Sequence, residues 1–421
     1  MTPPLPLRSS SLDIRSLELY ALLTGCLLYT TMDPTLPTYE TATCPYFSAG
    51  QCQSCSLLGT VAGSRLHSKV THLVSTLERL NVRPQVMQSP VTLKHPWRSR
   101  HKVKMSVSGS VETPIIGLTR RDRSTHDLLD CSLSTEPIQR LLHQLALVIS
   151  DYSLTPYDIE NRTGELKFMI VTTTQDHKAG ILRFVLRSRK LIPRVSAAIP
   201  HLQSTFPWIA AVSCNIQPLP AAIIEGPEEV LLTESPLIRE QFGAIPLYFA
   251  PQSFMQVTPE IASQLYARAA DIVQAASPHI ALDLYCGVGG FSLSAAPYCQ
   301  RVYGVELSQQ AILCATRSAN ELRYRHAEFT AADVDQFVQA HAALTPNLLI
   351  VNPPRRGLSE AVRDYVRRAK PQQMIYSSCN VETFAHDVAA LSSDYTLIEL
   401  TPFDMFPMTM HWEVLGVLIK R

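Results

Sequence analysis

Apolar, strand-like runs alternate with helical patterns from about residue 246 to the end of the chain, and this alternation constrains the fold most. Four runs carry the signal: "HIALDLYCG" (279–287), "RVYGVEL" (301–307), "NLLIVNPP" (347–354) and "QQMIYSSC" (372–379). Each is separated from the next by enough residues for at least one helix, which is typical of parallel strands joined by crossovers. The region therefore predicts an α/β domain built on a parallel sheet.

Two more runs close the chain, "YTLIELTPFDMF" (395–406) and "HWEVLGVLIK" (411–420), and we expect a terminal antiparallel hairpin with a short turn at the sheet edge. Residues 100–245 contain β-like runs of a different spacing and predict a smaller, mixed α+β domain. The expected organisation is a loosely ordered N-terminal extension (1–43), a central domain (44–245) and the α/β domain (246–421).

Composition narrows the class of protein. The 421 residues are 46% hydrophobic and 17% charged, which is typical of a globular protein and excludes a disordered chain. The net charge of +1 gives no global basic field, so a nucleic-acid partner must meet a local patch. An apolar stretch at 20–30 is too short to span a bilayer, which favours a cytoplasmic protein without a membrane partner. No obligate protein partner is indicated.

A glycine-rich loop, "DLYCGVGGF" (283–291), follows the first strand of the α/β domain. Glycine permits a tight turn and the close approach of a ligand to the backbone. Glu306 ends the next strand, 23 residues after Asp283, where an acid commonly binds ribose hydroxyls. Ser292 occupies the third glycine position of a dinucleotide fingerprint, so the pattern favours S-adenosylmethionine. A plain strand-turn-helix joint is the alternative.

Cys379 lies after a strand and directly before Asn380, which is suited to cap a helix. A thiol at a helix N-terminus is stabilised as the thiolate, so Cys379 is a candidate nucleophile, although a lone cysteine is more often a packing residue. The run "NPPRRG" (352–357) presents a rigid Asn-Pro-Pro into the same cleft. Enzymes that methylate exocyclic amines usually place an aromatic residue after the prolines, whereas Arg355 follows here.

These motifs, together with "SSCN" (377–380) and "HWE" (411–413), resemble those of the RNA uracil-C5 methyltransferases over residues 44–421. The resemblance implies a Rossmann-like class I methyltransferase domain. It also implies a reaction in which the Cys379 thiolate adds to C6 of uracil, C5 takes the methyl group and Glu413 removes the C5 proton. His411, expected on the same strand face as Glu413, is the next candidate for the base. The cofactor contacts implied by the family pattern are Gln256, Tyr285, Gly287, Glu306, Asp333 and Asn352.

Four cysteines resemble the iron–sulfur site of the 23S rRNA members of this family: Cys44, Cys52, Cys55 and Cys131. Four thiolates satisfy either a [4Fe–4S] cluster or a structural zinc ion, and spacing alone does not separate the two. The resemblance implies the cluster, in a structural role, and a 23S rRNA substrate. The other cysteines outside the catalytic motif are interpreted as packing residues: Cys26, Cys214, Cys286, Cys299 and Cys314.

A basic run with no acid, from Lys94 to Lys104, is the predicted RNA contact, since phosphate neutralisation and base stacking suit this composition. Its residues are Lys94, Trp97, Arg98, Arg100, Lys102 and Lys104. A solvated basic face is the alternative. His101 and Thr258 replace the asparagines that the family commonly has, which affects substrate contacts rather than the chemistry.

Other functions remain open at this stage. A uracil-C5 methyltransferase acting on tRNA or another rRNA site is the nearest alternative, but tRNA members lack the cluster cysteines. A non-enzymatic iron–sulfur RNA-binding protein would need neither Cys379 nor Glu413. A cytosine-C5 enzyme would place a cysteine beside the proline motif, which has none.

Overall fold

The computed structural model describes residues 43–120, 124–220 and 223–421. Two large sheets organise these residues, one of seven strands and one of eight. The predicted N-terminal extension, apart from Thr43, lies outside the described residues, as does Cys26.

The seven-stranded sheet belongs to the central part of the chain and has the order β4-β3-β2-β5-β6-β7-β8. Its pairs are antiparallel except β6 and β7, which are parallel and joined by a helical crossover. Two helices, α3 and α4, bury their apolar faces against it, so this region is a mixed α+β unit. The elements are β2 (Lys102–Gly109), β3 (Pro114–Thr119), β4 (Thr125–Asp127), α3 (Glu136–Asp151), β5 (Leu166–Thr173), β6 (Gly180–Leu186), a 3₁₀ turn (Arg189–Leu191), α4 (Ile192–Thr205), β7 (Ile209–Ile216) and β8 (Glu228–Leu231).

The eight-stranded sheet has the order β1-β16-β17-β15-β14-β11-β12-β13. Strands β15, β14, β11, β12 and β13 are mutually parallel, which confirms the predicted α/β fold. The run of four fully buried residues in β14 is typical of a strand covered on both faces. These elements are α5 (Pro259–Ala276), β11 (Ile280–Leu284), α6 (Gly290–Ala295), a 3₁₀ turn (Ala296–Tyr298), β12 (Arg301–Glu306), α7 (Gln309–Leu322), β13 (Ala327–Ala331), α8 (Val334–Ala340), β14 (Leu348–Val351), α9 (Glu360–Ala369), β15 (Gln373–Ser378) and α10 (Val381–Ala390).

The order of the parallel strands reverses at β11, which pairs with β12 on one side and with β14 on the other. Ligands of open α/β sheets bind beside the carboxyl ends of the strands at such a switch point. The glycine loop follows β11 and the Asn-Pro-Pro motif follows β14, so the fold brings both motifs to this crevice.

The terminal hairpin forms as predicted, from β16 (Tyr395–Phe403) and β17 (Glu413–Lys420). Two details differ from expectation. Strand β17 is inserted between β16 and β15, and the connection is not a short turn but the segment 404–412. A short strand, β1 (Val86–Met87), pairs parallel with β16 and occupies the edge.

The N-terminal part of the described chain packs on the eight-stranded sheet. After a short helix α1 (Pro45–Ser48), helix α2 (Ala62–Arg79) places Leu73 and Leu77 in the core that the sheet forms with α9 and α10. Residues 62–91, which the sequence prediction assigned to the central domain, thus share a core with the α/β unit. The boundary at residue 245 stays a prediction. A two-stranded hairpin, β9 (Ile238–Phe242) and β10 (Ile245–Phe249), leads into α5. No helix in the described ranges is long and apolar enough to cross a membrane.

Candidate active site

Cys379 lies between the end of β15 and the start of α10, where the sequence placed it. Asn380 caps the helix: its side-chain oxygen accepts hydrogen bonds from the backbone N–H of Glu382 at 3.1 Å and of Thr383 at 3.5 Å. The predicted helix start is confirmed, and the half-buried thiol stands at a helix N-terminus.

Glu413 is set opposite Cys379 by strand pairing. In the antiparallel register of β15 and β17, Ser378 pairs with Val414, and continuing this register by one residue brings Glu413 across from Cys379. The carboxylate is buried, and it accepts hydrogen bonds from the Ser377 hydroxyl and, at 3.1 Å, from the Asn352 amide. Burial raises the pKa of Glu413 to about 7, although both hydrogen bonds oppose this shift. A carboxyl with this pKa can exchange a proton at neutral pH.

Arg355 supplies positive charge beside the thiol. Its carbonyl accepts hydrogen bonds from the Asn380 amide at 2.9 Å and the Thr383 hydroxyl at 3.2 Å, which tie the loop 352–357 to the start of α10. Its guanidinium lies close enough to the Cys379 thiol to lower the thiol pKa. Burial, followed by the negative charge of Glu413, nevertheless raises the Cys379 pKa above its ordinary value. Desolvation therefore outweighs the stabilisation of the thiolate expected from the helix N-terminus.

A cavity of about 210 Å³ opens beside Cys379. One wall is the exposed end of α2, and the others come from the loop 352–357, the start of α10 and the segment 404–412. The residues that line it include His72, Thr76, Arg79, Arg355, His411 and Trp412. Sequence reasoning missed the α2 wall because it lies some 300 residues from Cys379 in the chain, and only the tertiary packing brings them together.

His411 lines this cavity but does not share the strand face of Glu413, because β17 begins at Glu413 itself. That part of the prediction was wrong. Burial, together with the positive charges of Arg355 and Lys69, lowers the pKa of His411, so the ring is neutral at pH 7.

The glycine loop forms an open cradle at the switch point. Gly287 has a φ of 55°, and a Cβ added there would meet no heavy atom within 4 Å. Tyr285, two residues before it, also has a positive φ, of 64°. Non-glycine residues adopt this conformation at an energetic cost, and such strain is concentrated at ligand sites. Backbone at this loop is thus free to approach a ligand closely.

Asp283 has a buried carboxyl whose environment the sequence did not reveal; the sequence indicated only its spacing from Glu306. Its carboxyl is fully buried; one oxygen accepts from the Ser292 hydroxyl at 2.5 Å, and the other has no hydrogen-bond partner among the described residues. Burial raises the pKa of Asp283 to about 7. A buried oxygen without a donor is costly, so the site favours a ligand that supplies one, such as an ammonium group.

The other expected cofactor contacts lie around this crevice. Glu306 ends β12 and accepts from the N–H of Ser308 at 2.9 Å, while Asp333 caps α8 by accepting from the N–H of Gln336 at 3.1 Å. Gln256 is buried in the segment between β10 and α5. Asn352 donates to Glu413, a role that the sequence did not reveal. Their binding of a cofactor stays a prediction.

The four cysteines of the N-terminal motif come together in a second site. Cys44, Cys52, Cys55 and Cys131 are all half-buried and line one pocket, whose wall includes the apolar side chains of Leu58 and Trp97. Burial, followed by the charges of the other three cysteines, raises the pKa of Cys55 to about 11. No three His, Cys, Asp or Glu side chains in the described part of the chain are arranged to hold a metal ion as they stand. The structure therefore gathers the predicted ligands without forming a single-ion site.

The predicted RNA-contact run is largely engaged within the protein. Arg98 pairs with Glu136 at 3.3 Å, and Lys104 pairs with Glu225 at 2.6 Å. Lys102 donates to the carbonyl of Ser253 at 3.1 Å, and burial lowers its pKa to about 8. Trp97 packs against the cysteine pocket, and Arg100 lies close enough to lower the pKa of Cys55. RNA contact by these residues stays a prediction.

Comparison with known proteins identifies the family. The model of the tRNA (uracil-5-)-methyltransferase family matches residues 244–421. The 23S rRNA (uracil(747)-C(5))-methyltransferase RlmC of Pectobacterium atrosepticum is 41% identical over 90% of this chain and 99% of its own length. The RlmC of Serratia proteamaculans is 40% identical over 90% of this chain and all of its own length.

A solved structure shows the same fold. The tRNA (uracil-54, C5)-methyltransferase of Pyrococcus abyssi, in complex with S-adenosyl-L-homocysteine, matches with a TM-score of 0.71 and 23% identity over 87% of this chain and 85% of that chain. With relatives of 40–41% identity over 90% of its length and the same fold as this structure, the chain belongs to the RNA uracil-C5 methyltransferase family.

Proposed function

We propose that the protein is a 23S rRNA uracil-C5 methyltransferase that forms 5-methyluridine at uracil 747, the nucleotide in the names of its relatives. The observation that carries the proposal is the approach of the buried Glu413 carboxylate to Cys379, close enough for its charge to raise the thiol pKa. Carbon-5 of uracil is a weak nucleophile, so the reaction needs a group that adds to C6 and a base that removes a proton from C5. The two side chains supply these roles from facing strands.

The reaction begins at Cys379. Its thiolate adds to C6 of uracil, and the electrons of the C5–C6 double bond form an enolate across C5, C4 and O4. S-adenosylmethionine supplies an electrophilic methyl group when bound at the glycine loop. Arg355 stabilises the thiolate before addition and after its release, because its positive charge lies close to the sulfur and lowers the thiol pKa.

Glu413 completes the reaction once C5 carries the methyl group. Its carboxylate takes the C5 proton, the C5–C6 double bond re-forms and the thiolate of Cys379 leaves from C6. The pKa of about 7 suits this step, since the group is partly ionised at neutral pH and gains the proton readily. Ser377 and Asn352 donate to the carboxylate and orient it.

For the cofactor, we propose that the crevice at β11 binds S-adenosylmethionine. The open backbone at Gly287 and the unpaired, buried oxygen of Asp283 support this choice. Glu306 at the end of the neighbouring strand suits the ribose hydroxyls. Gln256, Tyr285, Asp333 and Asn352 would complete the contacts.

For the four-cysteine pocket, we propose a [4Fe–4S] cluster held by Cys44, Cys52, Cys55 and Cys131. Four half-buried thiols with mutually unfavourable charges need a cationic group to become thiolates, and a cubane cluster takes four thiolate ligands. The cluster would cross-link the N-terminal segment to the central sheet. Anaerobically purified protein should be brown and contain iron and sulfide, and Cys52→Ser should bleach it; colourless protein with stoichiometric zinc would overturn this assignment.

The partner is then 23S rRNA, met in the cytoplasm where ribosomes are assembled. The cavity beside Cys379 carries Arg79, Arg355 and two histidines on its walls, which suits a polyanion with a base inserted between them. The basic run at 94–104, near the cysteine pocket, would extend this contact.

The direct experiment supplies labelled S-adenosylmethionine to the purified protein with unmodified 23S rRNA fragments and maps the product. We expect 5-methyluridine at uracil 747 with the wild type and none with Cys379→Ala. A methyl group on tRNA alone would transfer the activity to another substrate. Methylation that survives in Cys379→Ala would refute the mechanism.

A further inference from the structure

The segment 404–412 joins β16 to β17 and delivers Glu413 to the active site. We call it the strap. It carries His411 and Trp412, which line the cavity beside Cys379, and Glu413 follows directly as the first residue of β17. Whatever holds the strap therefore sets where the carboxylate of Glu413 lies.

One side chain from a distant part of the sequence holds the strap. Lys69, on α2, is 0% exposed, and its ammonium donates to three strap oxygens. These are the carboxylate of Asp404 at 2.6 Å, the carbonyl of Phe406 at 3.0 Å and the carbonyl of His411 at 2.8 Å. An ammonium has three donors, so each is used, and each bond fixes a different point of the strap.

Trp412, on the strap, also donates a hydrogen bond back to α2. Its indole N–H donates to the backbone carbonyl of Lys69 at 3.1 Å, and the Lys69 ammonium lies 4.5 Å from the centre of its ring. Further along, the buried Met408 packs beside the four-cysteine pocket, and its carbonyl accepts from the N–H of Leu57 at 3.1 Å. The strap is thus held on both sides by the N-terminal segment.

The ion pair between Lys69 and Asp404 is buried, which bears on its role. Removing a lysine and an aspartate from water is costly, and apolar residues of similar volume commonly give equal or greater stability. Apolar side chains form no directional hydrogen bonds, so they could not hold the two strap carbonyls at set angles. The arrangement is therefore suited to positioning rather than to stability.

We propose that Lys69 is a positioning residue for the base of the methyl-transfer reaction. It fixes the strap so that Glu413 enters β17 facing Cys379. This inference rests on the proposed function, since it concerns the step that Glu413 performs there.

The test separates positioning from stability by measuring which step slows. Lys69→Met removes the ammonium and keeps a long, unbranched side chain. Cys379 is held by β15 and the Asn380 cap, so thiolate addition and methyl transfer should continue. Elimination should slow roughly 10- to 100-fold because the carboxylate is misplaced. A denaturation-resistant protein–RNA adduct carrying labelled methyl should therefore accumulate, with S-adenosylmethionine affinity unchanged.

The matched control is Arg268→Met. Arg268 forms a partly buried pair with Glu399 at 2.5 Å and joins α5 to β16, the same hairpin, without touching the strap. It should lower stability without accumulating adduct. If adduct and product fall together in Lys69→Met, in proportion to its folded fraction as in the control, the positioning role is refuted.

A milder variant decides the matter if Lys69→Met does not fold. Trp412→Phe keeps an aromatic ring and removes the hydrogen bond to the Lys69 carbonyl. We expect a smaller accumulation of the same adduct. Product and adduct at wild-type levels would overturn the proposal. Failure of the proposed function is distinguishable, because then Glu413→Gln would also form no adduct.

Discussion

The protein contains two sites built on half-buried cysteines, and their surroundings give the same side chain opposite roles. In the N-terminal pocket, Cys55 faces three other thiols, and burial and their charges raise its pKa to about 11. At the end of β15, burial also raises the pKa of Cys379, but the Arg355 guanidinium opposes the shift. Each thiol has an arginine nearby, but Cys55 also faces three further thiols, whose charges one guanidinium does not neutralise.

The difference shows how the charges around a thiol determine its function. A group of mutually repelling thiolates is stabilised only when a metal centre neutralises them together, so ligand binding and folding are linked. A single thiol beside a guanidinium and a helix N-terminus can become a thiolate for part of the time and attack a substrate. Removing one thiol from each site should therefore affect different properties.

The largest expected effect is the loss of turnover in Cys379→Ala. Without the nucleophile, methylation should fall by about four orders of magnitude or more, while iron content and thermal unfolding stay near wild type. Cys131→Ala should show the reverse pattern: it should lose iron and unfold at a lower temperature. Cys299→Ala is the control, since its half-buried thiol serves neither site. If Cys379→Ala lost iron, or Cys131→Ala kept it, the two-site comparison would fail.

The second effect concerns the cation beside the nucleophile. Arg355→Met removes the charge that lowers the pKa of Cys379, so the thiolate should form only at higher pH. Turnover at pH 7 should fall by about one to two orders of magnitude. The acid limb of the pH–rate profile should shift to higher pH, and part of the loss should be recovered at alkaline pH. A profile that keeps its wild-type shape would show that Arg355 acts by contact with RNA alone.

The third effect is on stability rather than rate. Burial raises the pKa of Glu413 from its ordinary 4.5 to about 7, so the folded state binds this proton more tightly than the unfolded state. The resulting stabilisation is present below pH 4.5 and is lost as the pH rises through 7. Glu413→Gln should therefore be more stable than wild type by about 3 kcal/mol at pH 8 and no different at pH 4. Denaturant unfolding at the two pH values measures this, and an equal effect at both would contradict it.

The smallest effect sharpens the comparison at the cysteine pocket. Arg100 lies near Cys55, as Arg355 lies near Cys379. In the four-cysteine pocket, however, the cluster would hold the thiolates. Arg100→Ala should leave iron content unchanged and weaken 23S rRNA binding only a few-fold, with a salt slope lower by about one or less. Lys104→Ala should weaken binding less than Arg100→Ala, because Lys104 is already paired with Glu225. Equal losses in both variants would indicate a general charge effect.

Much of the fold and part of the site followed from local sequence patterns. The strands of the α/β sheet, the terminal hairpin and the helix cap at Asn380 were predicted because strand and helix periodicity and capping act over a few residues. The glycine loop was also recognisable, since three glycines after a strand are a short-range signal. These features depend little on what packs around them.

Other features depend on contacts that a sequence pattern does not contain. The net rise in the pKa of Cys379 comes from burial among elements distant in the chain. The pairing of Lys104 with Glu225 removes a cation from the expected RNA surface, and Lys69 reaches the strap across more than 330 residues. His411 also lies outside the strand that the hairpin pattern indicated, because β17 begins at Glu413.

The most direct test of the central claim is to follow labelled methyl from S-adenosylmethionine in Glu413→Gln. If Cys379 is the nucleophile and Glu413 the base, addition and methyl transfer proceed and elimination stalls. We expect a denaturation-resistant protein–RNA adduct that carries the label, contains a peptide linked through Cys379, and is absent in the double variant with Cys379→Ala. Normal turnover without trapped adduct in Glu413→Gln would contradict the account, because another group would then remove the C5 proton.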